Sequence, residues 1–87
     1  MADTEDRGFA ELFDTEPRNP TAGQVQEWLA LYDGLIGLIE RQLDDTRRFM
    51  EGAPEPSRTY LRNENLRILD EELTTLRERR GWWSQRA

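Results

Sequence analysis

VQEWLALYDGLIGLIERQLDDTRRFM, residues 25–50, decides the fold. Its apolar residues return at three- and four-residue steps, the period of one face of an α-helix. With Val25 at heptad position a, Tyr32 and Ile39 also fall at a. Trp28, Leu35 and Phe49 fall at d, and Leu29, Ile36, Leu43 and Met50 at e. That is the a/d/e face of a helix packed in a bundle. Just upstream, Thr21 with Gln24 three residues later has the form of a capping box, in which each residue satisfies the other's free backbone N–H. The expected helix covers about residues 22–51, roughly 45 Å at 1.5 Å per residue.

Downstream, Gly52-Ala-Pro-Glu-Pro56 reads as a stop. Gly52 stands where a left-handed C-terminal cap belongs, and two prolines oppose continuation. A turn over 52–57 is expected, then a second helix over about 58–81, capped by Ser57 or Thr59. Its apolar positions are Tyr60, Leu61, Leu66, Ile68, Leu69, Leu73 and Leu76. Arg77, Arg79 and Arg80 suit the negative end of its dipole, and Gly81 is placed to end it. A short connection forces two long helices antiparallel. Folding the chain near residue 54 sets Leu43 against Leu66, Ile39 against Leu69, Ile36 against Leu73 and Tyr32 against Leu76. The expected fold is all-α, an antiparallel, coiled-coil-like helical hairpin over residues 21–87 with a Trp-containing C-terminal end.

One hairpin leaves apolar surface over. Leu31 and Leu38 fall at g, outside the a/d/e stripe, so a homodimer closing into a four-helix bundle is expected. Ala30, Gly34 and Gly37 lie beside them. Each helix-interior Gly costs about 1 kcal/mol relative to Ala. Either they form a notch for a close-packed second helix, or they are a mild irregularity on a wet face. Leu31, Gly34 and Leu38 are the candidate self-association residues. Asn65 either fixes register at the seam or sits on the surface.

Upstream, residues 1–20 contain six acids and two Arg and reach Pro17 and Pro20. That composition predicts a disordered acidic tail. Within it, Phe9, Leu12 and Phe13 are spaced for one face of a short helix. They form either an amphipathic ligand for a partner's groove or a clasp folded back on the chain. At the other end, Trp82-Trp83 falls beside Trp28 and Val25. The pair is either an aromatic plug or an anchor for a partner, since Trp and Arg dominate binding hot spots. Phe9, Leu12, Phe13, Trp82 and Trp83 are the candidate partner-binding residues.

The 87-residue chain, 36% hydrophobic and 34% charged, carries a net charge of −6, and its mean hydropathy is −0.91. All 12 cations are Arg. The negative balance argues against nucleic acid, which needs clustered cations. It also argues against an anionic membrane surface. The longest apolar run, 29–39, is too short to span a bilayer and contains Asp33. No secretory signal is read at the acidic N-terminus, and a cytoplasmic protein is expected. His, Cys and Lys are absent from the composition, so the usual general bases, covalent nucleophiles and triads have no residues to build them. No phosphate-cradling loop is present. Glu40 and Asp44 are spaced to share a metal, but Arg41, Arg47 and Arg48 favour ion pairs there. No enzyme activity, cofactor or metal is expected. The leading expectation is a small regulator, adaptor or assembly factor that docks on another protein. The alternative is a sensor of a small anion or nucleotide, held between helices by Arg41, Arg48, Arg62 and Arg67.

Overall fold

The computed structural model describes residues 9–87, and every regular element among them is helical. In chain order these are α1 (Ala10–Asp14), α2 (Ala22–Glu51), α3 (Glu55–Leu61), a π-helical turn (Arg62–Leu66) and α4 (Arg67–Ser84). The last three run on without a break, giving one short helix and two long ones.

Both halves of the capping box are made at the start of α2. The Gln24 amide donates to Thr21 Oγ1 at 3.1 Å, and the Thr21 amide donates to Gln24 Oε1 at 2.9 Å. At its other end Gly52 has φ −101° and ψ 4°. It therefore does not take the left-handed conformation that the sequence suggests for a capping glycine. The last turn closes instead by tight i→i−3 bonds, Gly52 to Phe49 at 3.3 Å and Ala53 to Met50 at 3.2 Å.

The prolines begin the second long helix rather than holding it off. Pro54 is its extended N-cap, and Pro56 lies in its first turn, where a missing N–H is no loss. Ser57 and Thr59 thus fall inside α3, and Thr59 donates to Glu55 Oε1 at 3.2 Å. Gly81 also lies inside a helix: α4 continues to Ser84 because Trp83 has a buried place to fill. The π turn has a readable cause. Leu61 and Leu66 are five residues apart, which an α-helix would put on different faces. The wider turn brings both onto the half-buried side.

Asp33 pairs with Arg80, and Glu40 with Arg77 at 2.9 Å. Numbering therefore rises along α2 as it falls along α4. Val25, Tyr32, Ile39 and Leu43 of α2 are buried with Leu73, Leu76 and Trp83 of α4. Phe49, read as part of the inward face, is 67% exposed. Near the turn, neither Tyr60 nor Leu61 closes over it, and all three border an open depression.

The Cα atoms fill a slab of 51 × 29 × 14 Å with a radius of gyration of 15.8 Å. A compact chain of this length would have about 12 Å. No helix among the described residues is long and apolar enough to cross a membrane.

Candidate functional site

The densest constellation of side chains sits where α1 meets the start of α2 and the end of α4. The sequence predicts disorder over residues 1–20. From residue 9 onward, the structure has α1 and a following strap, with Phe9, Leu12 and Phe13 half-buried against the core. Residues 1–8 lie outside the described residues.

Glu16 joins the strap to the core. Its side chain is 5% exposed. Oε2 accepts from the Tyr32 hydroxyl at 2.5 Å and from Trp83 Nε1 at 2.6 Å. Arg79 pairs with Oε1. A carboxylate removed from water needs this much compensation, because an unpaired buried charge costs several kcal/mol. Burial pushes the Tyr32 hydroxyl up to about 12 from 10.0, so at neutral pH it is a fixed donor.

Aromatic rings pack around this carboxylate. Trp28 stacks on Trp83 with centroids 5.5 Å apart and planes 7° from parallel. Trp82 meets Trp83 edge-on at 5.0 Å. Phe13 and Trp28 lie 6.3 and 5.9 Å from Tyr32. The Arg79 guanidinium lies 5.5 Å from Phe13 and 5.3 Å from Trp82. Arg86 lies 3.3 Å from the Trp82 ring, making a cation–π contact.

Of the five candidate partner-binding residues, Trp83 belongs to the buried core and Phe9, Leu12, Phe13 and Trp82 pack against that core, with Phe13 and Trp82 sharing Arg79. Trp83 has no exposed surface, while Phe9, Leu12, Phe13 and Trp82 keep some. The three candidate self-association residues lie elsewhere. Leu31 is 40% and Leu38 43% exposed, and Gly34 is exposed between them. A Cβ added at Gly34 or Gly37 would meet nothing within 4 Å, so packing within the chain does not require either glycine.

Ile68 at 44% and Tyr60 at 64% extend the exposed apolar surface along the second long helix. Gln42, Asp45, Thr46, Asn65, Ile68 and Leu69 border a shallow depression, which places Asn65 at the surface. Of the arginines read as anion ligands, Arg67 is engaged by Glu71 at 3.0 Å and by the Asn63 carbonyl at 3.0 Å. Arg41, Arg48 and Arg62 are exposed. Among the described residues, no group of three or more His, Cys, Asp or Glu side chains is placed to hold a metal ion.

Glu16 and Arg79 escaped the sequence reading as site residues, because Glu16 was counted with an acidic tail. A signal was available. Glu16 continues the 9, 12, 13 spacing by one more step, which marks it with the residues that pack even though α1 itself ends at Asp14. No protein-family model, curated protein or solved structure matches the chain.

Proposed function

We propose that this protein is a non-enzymatic interaction module of the cytoplasm: a helical hairpin that self-associates as a homodimer and docks on another protein as a regulator, adaptor or assembly factor. The supporting observation is the exposed set of large apolar side chains, Leu31, Leu38, Phe49, Tyr60 and Ile68, each at least 40% accessible on a thin slab. A single helical layer leaves apolar side chains uncovered on its outer surfaces, so it gains stability by burying them against a neighbour. α1 serves as an intramolecular clasp and Trp83 as the plug of the aromatic end. Leu31, Gly34 and Leu38 form the self-association strip.

The test is sedimentation equilibrium on the full chain together with the Leu31→Asp/Leu38→Asp double variant. The wild type should weigh about twice its 10.3 kDa protomer at micromolar concentration. The double variant should be monomeric with an unchanged circular dichroism spectrum. A folded wild-type monomer at every concentration would remove the dimer. For the docking partner, crosslinking in native cells should give a recurring neighbour that is lost with Phe49→Asp/Tyr60→Asp. Equal capture by wild type and variant would exclude the turn end as the docking contact.

A further inference from the structure

We propose that two copies of α2 pair antiparallel about a two-fold axis passing close to Gly34, with Glu27 of each copy facing Arg41 of the other. The proposal rests on the self-association reading above and specifies its geometry.

Four observations converge on it. Glu27, Gly34 and Arg41 are successive residues of one heptad position, so they lie along a single line on α2. That line is on the far side of the helix from Val25, Tyr32 and Ile39, and all three residues are exposed. Leu31 and Leu38, 40% and 43% exposed, run beside it along one side. Finally, Gly34 and Gly37 weaken the helix although a Cβ at either would meet nothing within 4 Å inside the chain.

Symmetry then selects the occupant. Glu27 and Arg41 stand seven residues before and after Gly34, while Leu31 and Leu38 stand three before and four after. A two-fold axis through Gly34 carries each position onto its mirror in number. It therefore brings Glu27 opposite Arg41 twice and Leu31 beside Leu38 twice, with Gly34 against Gly34 at the crossing. A parallel pair would instead set Glu27 against Glu27 and Arg41 against Arg41. Among the described residues, neither Glu27 nor Arg41 is in an ion pair within the chain, whereas neighbouring Asp33 and Glu40 are taken by Arg80 and Arg77. The absence of side chains at Gly34 lets the backbones approach where the helices cross. An isologous interface needs a patch that is complementary to itself, and this strip meets that condition in both charge and shape.

The test uses Glu27→Arg and Arg41→Glu in the full chain, separately and mixed, followed by sedimentation equilibrium and native mass spectrometry. Each variant alone puts like charges together at both contacts, so its dimer should dissociate about tenfold more readily than wild type. Both residues are exposed, so circular dichroism should be unchanged. An equimolar mixture turns both contacts into Arg–Glu pairs, and mixed dimers should exceed the statistical proportion and recover near wild-type strength. A wild-type dimer with both variants equally tight and statistical mixing would overturn the Gly34 axis while leaving self-association in place. A wild type that stays monomeric throughout would overturn both.

Discussion

Glu16 shows what one buried charge does to a small chain. Without it, Trp83 Nε1, the Tyr32 hydroxyl and Arg79 lose their common acceptor, and α1 has no polar fastening. Glu16→Ala should cost about 3–5 kcal/mol, because it leaves Arg79 half-buried without its partner. Urea denaturation monitored by Trp fluorescence measures the loss, and amide exchange should rise first over residues 9–16. Tyr32 gives the pH counterpart. Its hydroxyl titrates at about 12 in the fold against 10.0 ordinarily. A raised folded-state pKa means that the contribution is complete below pH 10 and fades as pH climbs through about 12. Stability should therefore fall across that window in the wild type. Tyr32→Phe should be less stable at neutral pH and lose less over the same range. The carboxylate's role was hidden in the sequence because nothing local marks a charge for burial; its partners are 16, 63 and 67 positions away in number. Tyr32 itself was legible as a core residue from heptad spacing, but its hydrogen bond was not.

Elements were legible in proportion to how local their signals are. The Thr21–Gln24 cap and the stripe that follows it are written within one segment, and α2 shows both. Thr21→Ala should cost about 1 kcal/mol, seen as a lower urea midpoint with unchanged slope. The start of α3 was misread because proline opposes a helix interior yet suits a first turn, and sequence alone did not say which applied at Pro54 and Pro56. The five-residue interval from Leu61 to Leu66 carries its own test. Deleting exposed Asn65 would set the two leucines four apart, still on one face of an ordinary α-helix, so stability should change by less than about 1 kcal/mol. Inserting one Ala there should cost more, because six residues place the leucines on different faces. Thermal melts of both variants decide. If the deletion unfolds the chain and the insertion does not, the phasing account fails.

The molecule as a whole is long and one layer thick, because among the described residues no third long helix closes over the two that pair. Among the described residues, seven make up the buried core, strung along one seam rather than gathered into a centre. Small-angle scattering on the Leu31→Asp/Leu38→Asp variant should give an elongated particle with a radius of gyration well above the about 12 Å of a compact chain. A value near 12 Å would refute the slab. Composition and patterning made the all-helical class and the two long helices readable. The clasp at one end was not, because its apolar content is three residues within an acidic stretch, and its stability comes from surfaces supplied by both other helices.

Through Glu16, the strap after α1 is moored to the final turns of α4, so the first described segment and the last residues of the chain lie at the same pole of the rod. Reporter proteins grafted at residue 9 and residue 87 would become close neighbours and exchange energy efficiently. The pole bearing Phe49 and Tyr60 would stay unencumbered by either graft.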